Sequence, residues 1–398
     1  MFKTLVLALA AGAMLTGAAS AQQIKIGLSG PFTGGSASMG VSMRDGVRLA
    51  VSEINKAGGV MGRQILLVER DDEARNELGV QIAQELISKE AVVATLGYIN
   101  TGVALASQRF YQEAEIPVIN NVATGTLVAR QFLPPEHKAN YVFRTSANDA
   151  IQSGMIVNEA IKRRGFKAPA ILADSTNYGQ LGRADLEKAL EATGVKPVAV
   201  EKFNIGDTDM TAQLLRAKQA NADVILTYGI GPELAQVANG MAKLGWKTPM
   251  IGSWTLSMAT FIDNAGANGD GAAMPQTFIQ AGDTAKRKSF IEAYQSAYKV
   301  ERIPSPVSAA QGYDSVLLLK AAIEQAKSTE GRKIREALEN LQTKIEGVVT
   351  VYDHPFSATD HEAISANIPV FGIVKNGRVL VAHEDDMSGD KAVRVKQK

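Results

Sequence analysis

The feature that most limits what this chain can fold into is a unit repeated from Gln23 onward. Each copy has a short β-branched or aliphatic run, a turn rich in Gly, Ser, Thr and Asn, and an amphipathic segment with apolar residues at helical spacing. Such alternation predicts parallel sheets covered by helices, because strands separated by a helix pair through crossovers rather than hairpins. In the first half, strands are predicted over 24–28, 64–69, 92–96 and 117–119, with helices over 41–56, 77–88 and 101–113 between them. The turn Gly58-Gly59-Val60-Met61-Gly62 supplies the left-handed positions that close the first helix. A polar stretch at 131–138 and a short strand at 141–144 introduce a second series. Its strands are predicted over 170–173, 199–203, 224–227 and 249–251, and its helices over 149–164, 179–192, 210–219 and 233–244. A strand over 271–277 then leads into helices over 286–298, 308–325 and 332–340 and into β-rich sequence over 347–382. Two similar halves imply two lobes.

Length and charge narrow the function classes. The 398 residues are enough for two or three domains of about 150 residues. Lys and Arg number 42 against 41 Asp and Glu, and 45% of residues are hydrophobic, so neither disorder nor a nucleic-acid partner is indicated. At the N-terminus Lys3 precedes an apolar run over 5–15 and the small-residue stretch Ala19-Ser20-Ala21. That run is too short and too rich in Ala and Gly to span a bilayer, and it reads as a secretory signal over 1–21, cleaved after Ala21. The absence of cysteine removes a thiolate metal site and a lipid-anchored N-terminal Cys. The expectation is an exported protein with no direct membrane anchor.

A two-lobed α/β chain could be an enzyme, yet the usual signatures are missing. There is no Gly-x-x-x-x-Gly-Lys-Ser/Thr loop, and the nearest dinucleotide fingerprint, Gly229-Ile230-Gly231-Pro232-Glu233-Leu234, ends on Leu where Gly or Ala is needed for close helix packing. His137, His354, His361 and His383 show no i, i+4 pairing, so no metal site is expected. No Gly-x-Ser-x-Gly elbow occurs. Asp71 and Asp72 imitate a paired-carboxylate site but read better as solvated turn residues capping the next helix. No cofactor is implied, and the chain is not read as an enzyme.

What recurs is a strand end rich in hydroxyl, amide and glycine that runs directly into a helix. Open α/β sheets bind small ligands beyond the carboxyl ends of their strands, where helix N-termini present unpaired N–H groups suited to a carboxylate. The candidate loops are 29–35, 97–102 and 120–126 in the first half and 174–179 and 252–255 in the second. Thr101 and Thr124 could instead only cap their helices.

Several of these segments are familiar together. The run Ile26-Gly-Leu-Ser-Gly-Pro-Phe-Thr-Gly, the stretch from Asp45-Gly46-Val47 to Asn55 with its glycine turn, Asp71-Asp72, Ile116-Pro117-Val118-Ile119, Arg144-Thr145 and Asn177-Tyr178-Gly179 resemble the leucine/isoleucine/valine-binding family of periplasmic solute-binding proteins. The resemblance covers nearly the whole chain after the signal. It implies a type I periplasmic-binding fold, two Rossmann-like lobes joined by three crossovers, which closes around a small solute and delivers it to the membrane permease of an ABC importer. Lobe 1 is then expected at 22–142 with 278–343, lobe 2 at 143–277 with 344–382, and a polar tail at 383–398. Crossovers are expected near 141–144, 276–278 and 340–347.

Position by position, the resemblance puts Thr101 and Thr124 where the family holds a ligand carboxylate and amine, with Asn100, Val122 and Ala123 on the same wall. Tyr178 falls at an aromatic lid from the second lobe, and Met39 where another ring often sits. Two positions depart from the pattern: Trp254 replaces the acidic residue that accepts an α-ammonium, and Ile230 replaces a tyrosine. An ammonium would lose its charged partner, which is costly by several kcal/mol when buried, whereas Trp254 suits stacking on an aromatic ring. The small polar neighbours of Trp254 suit an exposed loop. The expected ligand is a small carboxylate-bearing solute, an amino acid or an aromatic acid.

Overall fold

The computed structural model describes residues 23–281, 283–386 and 393–397. The expected signal at 1–21 lies outside them.

The first series folds as β1 (Ile24–Gly30), α1 (Ala37–Lys56), β2 (Ile65–Asp71), α2 (Asn76–Ser88), β3 (Ala94–Gly97), α3 (Thr101–Glu113), β4 (Val118–Asn120) and β5 (Val142–Arg144). The five strands form one parallel sheet in the order β2-β1-β3-β4-β5. Successive side chains on a strand face opposite ways, and the packing follows. Ile24, Ile26 and Leu28 of β1 are buried with α1, while Val118 of β4 is buried on the other side with Ala83 of α2 and Val103 and Tyr111 of α3. The glycine turn after α1 behaves as expected: Gly58 is left-handed at φ 105°, and the Gly59 N–H donates to the Ile54 carbonyl.

The second series folds as α4 (Asp149–Val157), β6 (Pro169–Asp174), α5 (Asn177–Glu191), β7 (Ala199–Phe203), α6 (Thr211–Gln219), β8 (Val224–Tyr228), α7 (Gly231–Lys243), β9 (Met250–Gly252), α8 (Ala259–Ala265) and β10 (Ala273–Gln276). The helix expected over 149–164 is α-helical only to Val157 and continues as a π-turn over Asn158–Arg163. α8 escaped the sequence reading: its seven residues are too few to show a helical period. Next come α9 (Ala285–Tyr298), α10 (Pro306–Ala326), α11 (Gly331–Glu339), the short pair β11 (Ile345–Glu346) and β12 (Val351–Tyr352), and finally β13 (Val370–Lys375) and β14 (Arg378–Val381). The second sheet runs β14-β13-β10-β9-β8-β6-β7, parallel except for β13 and β14.

Two segments differ from the expected partition. β5 pairs with β4, so the first sheet extends to Arg144. Residues 345–368, expected with the second lobe, pack on the first: Val348, Val349, Tyr352, Phe356 and Ile364 are buried in the same core as α1 and α10. Two ties hold the segment there. The Asp314 carboxylate of α10 accepts the N–H groups of Val348 and Val349 at 2.7 and 2.8 Å. Alongside β5, the Arg144 N–H donates to the His361 carbonyl and the Ala363 N–H to the Arg144 carbonyl. Only β13 and β14 join the second sheet. The end of the polar tail also docks on this segment, with Lys396 Nζ 2.7 Å from Asp360 Oδ2 and Asn367 Nδ2 donating to the Val395 carbonyl.

Candidate functional site between the two sheets

In each sheet the strand order reverses once, at β1 in the first and β6 in the second. Loops on either side of such a point leave in opposite directions and open a crevice at the carboxyl ends of the strands. The crevices of the two sheets face each other. Between them lies a cavity of about 20 Å³ lined by Ser36 after β1, Ile99 and Asn100 after β3, Val122 and Thr124 after β4, Tyr178 after β6, Ile230 after β8, and Trp254 and Thr255 after β9, with Met39 of α1. Each sheet thus contributes three strand ends.

The first wall is fixed by its backbone. At Gly97, with φ 134°, a Cβ would stand 2.0 Å from the Ser29 carbonyl oxygen, so only glycine lets β3 turn beside β1. Asn100 is the N-cap of α3, but its side chain caps nothing; its Nδ2 donates to Ser36 Oγ at 3.2 Å, and its Oδ1 is buried without a partner. The first-turn N–H groups of α3 therefore remain uncapped by a side chain, an arrangement suited to an anion. Thr101 is turned away from the cavity: its Oγ1 accepts the Gly125 N–H at 3.1 Å and ties the 123–125 loop to α3. Ala123 is buried behind the wall, against Tyr98 and Val103. Arg144, fully buried, braces the same loop by donating to the Gly125 carbonyl at 2.7 Å while its other guanidinium nitrogens pair with Glu362.

The second wall is aromatic and hydroxylic. Thr176 caps α5 through the Gly179 N–H and so places Tyr178 in the first turn, over the cavity. The Tyr178 hydroxyl donates to Ser253 Oγ at 2.6 Å, and Ser253 shares a hydrogen with Thr255 Oγ1 at 2.8 Å. Burial pushes the Tyr178 phenol well above its ordinary value, so it stays a protonated donor. Trp254 is 2% exposed and sits on a short 3₁₀ turn, which corrects the expectation of an exposed loop. Its backbone N–H is held by Gln152 Oε1 of α4, and its ring packs into the core that holds Met39 and Met258.

Of the residues singled out from sequence, Met39, Asn100, Val122, Thr124, Tyr178, Ile230 and Trp254 line the cavity together, whereas Ala123 stands behind them and Thr101 lines the cleft outside instead. Ser36, Ile99 and Thr255 were missed, though each lies within or beside a loop already marked as a strand end. Asp71 and Asp72 do not cap α2. Asp71 accepts the Phe32 N–H and the Thr33 hydroxyl, and buried Asp72 accepts the Ser29 hydroxyl, so both brace the loop after β1.

Outside the cavity, a cleft of about 270 Å³ is lined by Arg75, Asn76, Glu77 and Thr101 from one side and by Thr176 and Asn177 from the other. Asn100 and Tyr178 border both spaces and separate the mouth from the interior. The lobes touch across the cleft where the Thr126 hydroxyl donates to Asp185 Oδ2 at 2.7 Å. Among the described residues no group of three or more acidic, His or Cys side chains could hold a metal ion, and no helix is long and apolar enough to cross a membrane.

The profile of the periplasmic binding protein family matches residues 23–378. A Leu/Ile/Val-binding protein homolog of Brucella melitensis is 29% identical over 309 residues, covering 77% of this chain and 80% of that protein. Among solved structures, the branched-chain amino acid transporter substrate binding protein LivJ of Streptococcus pneumoniae, in complex with isoleucine, superimposes with a TM-score of 0.79 at 25% identity, over 90% of this chain and 98% of that one. A solute binding protein of an ABC transporter from Rhodopseudomonas palustris, in complex with benzoate, gives 0.78 at 22% identity, over 91% and 96%, a likeness of fold.

Proposed function

This chain belongs to the leucine/isoleucine/valine-binding family of periplasmic binding proteins, and on that premise we propose that it is the periplasmic substrate-binding component of an ABC importer, binding a small carboxylate-bearing solute by hinged closure of its two lobes. The observation that carries the proposal is the cavity itself, walled by three strand ends of each sheet and closed by Tyr178. About 20 Å³ holds one water molecule, far less than an amino acid or an aromatic acid displaces, so a solute enters only when the walls part. Its carboxylate then rests on the α3 N-terminus, with Thr124 and Asn100 beside it. Its side chain lies between Tyr178, Trp254, Ile230 and Met39. The signal at 1–21 would bring the protein to the periplasm, and the closed form would be the shape a membrane permease reads. A reactive group for catalysis has no place in this reading.

Trp254 decides the ligand class. It stands where an ammonium acceptor is expected, so aromatic carboxylates bind more tightly than leucine, isoleucine or valine. An aromatic pair adds about 0.5 to 1.5 kcal/mol beyond its buried area, which an aliphatic side chain cannot gain. Calorimetric titration of the ligand-free protein with benzoate-type acids and with the three branched-chain amino acids compares them directly. Submicromolar leucine binding without heat from any aromatic acid would refute the aromatic preference; no heat from either class would refute the carboxylate site.

A further inference from the structure

Asp149 opens α4 at the junction of the lobes, and its carboxylate has no role in the site described above. The side chain is fully buried, and neither oxygen has a well-formed hydrogen bond, the Thr124 and Tyr228 hydroxyls being the donors in reach. On one side it is covered by the first lobe: the Asp149 N–H donates to the Thr124 carbonyl at 2.8 Å, and the Ala150 N–H to Thr126 Oγ1 at 3.0 Å. On the other side it is covered by the second lobe: Tyr228 of β8 donates its hydroxyl toward the Asp149 carbonyl, and Asp185 and Tyr178 project from α5. The Thr126 to Asp185 bond closes this cover across the cleft. Parting of the lobes would break that bond and take away the first-lobe side of the cover over the carboxylate.

The charges around Asp149 do not compensate its burial. Arg144 of β5 is the cation in reach, but its guanidinium is already paired with Glu362 and donates to the Gly125 carbonyl. Asp185 on α5 repels a second negative charge, and Tyr178 and Tyr228 are uncharged phenols. On α4 itself, Asn148 spends its side-chain oxygen on the Ile151 N–H. The N-terminal end of α4 favours an anion, but by less than the cost of burying a carboxylate that lacks a charged partner. Burial accordingly pushes the Asp149 carboxyl up to about 7, against the smaller opposing effects of the Thr124 hydroxyl and Arg144.

We propose that closure of the cleft is coupled to protonation of Asp149: the closed form takes up a proton at a carboxyl that the open form leaves ionised in water. The inference rests on the hinged-closure reading above. A ligand carboxylate on the far side of Thr124 would add a second negative charge to the same region and strengthen the coupling. The sign follows from linkage. The state with the raised carboxyl value binds the extra proton, so closure is favoured at low pH and weakens by up to about tenfold per pH unit between about 4 and 7.

The chain has no cysteine, so spin labels can be placed at will. Glu77→Cys on α2 and Lys188→Cys on α5 put one label on each lobe at exposed positions, and pulsed electron resonance reads the distance between them without any ligand. The ratio of the shorter to the longer distance is expected to fall from pH 5 to pH 7 and then level off. In Asp149→Asn the ratio stays high throughout. Asp185→Asn, which removes the repelling charge, is expected to move the midpoint to lower pH, and it serves as the second variant should Asp149→Asn not fold. Two distances with a ratio independent of pH, or with the same dependence in the variants, would overturn the proton coupling and leave hinged closure standing. A single unchanging distance would overturn both.

Discussion

Trp254 stands at the carboxyl end of β9, where the resemblance puts an acidic residue, and the structure turns its ring inward between the cavity and the core around Met39. A carboxylate at this position would face Tyr178 and Thr255 and could receive an ammonium. Trp254→Glu is therefore expected to weaken benzoate-type acids by roughly 2- to 12-fold, the size of one aromatic pair. It should strengthen branched-chain amino acids by roughly 10- to 150-fold, the size of one charge-assisted hydrogen bond. Calorimetry on the variant gives both ratios, and an unchanged order of preference would remove Trp254 from the ligand site. The site's residues were legible in unequal measure. Asn100, Thr124 and Tyr178 stand in loops that join a strand to a helix, and that context exposes them in the sequence. Thr101 carries the same signal, yet its hydroxyl serves the Gly125 N–H, because one turn of helix decides which face a residue presents and spacing alone does not fix that face. Arg144 and Asp149 were invisible as a pair, since their roles depend on Glu362 and Asp185, far away in sequence.

Among the elements, the α/β alternation located nearly every strand and helix of both series, since each carries its own period and its own turn. The segment between α11 and β13 was placed in the wrong lobe because nothing local binds it. Its address is written in Asp314 and Arg144, through backbone contacts that leave no pattern in the segment itself. The contact of α1 with α10 has a clearer signature. At Gly46 an added Cβ would lie 2.1 Å from the Ala309 carbonyl oxygen, so the two helices meet backbone to backbone. Gly154 of α4 is exposed and has nothing within 4 Å of such a Cβ. Gly46→Ala is expected to cost roughly 1 to 3 kcal/mol through overpacking, well above the propensity gain of alanine in a helix. Gly154→Ala should stabilise by up to about 1 kcal/mol. Urea unfolding of the two variants beside the parent measures both, and the same sign for the two would contradict the close approach of α1 and α10.

At the level of the whole molecule, two sheets with facing switch points enclose a cavity whose walls belong half to each lobe. Neither lobe alone presents both the α3 N-terminus and the Tyr178 and Trp254 wall, so under the proposed function full contact with a solute would exist only in a closed arrangement. A ligand that binds the closed form better must shift the population toward it. Under the proposed closure the Thr126 to Asp185 bond is the contact that would break as the cleft opens, whereas the hydroxyl chain from Tyr178 to Thr255 lies within the second lobe and would move with it. Small-angle X-ray scattering tests the claim most directly, recorded on the ligand-free protein and again with a saturating amount of whichever carboxylate gives the strongest calorimetric signal. The account predicts a smaller radius of gyration with ligand; an unchanged radius at saturation would contradict closure around the solute.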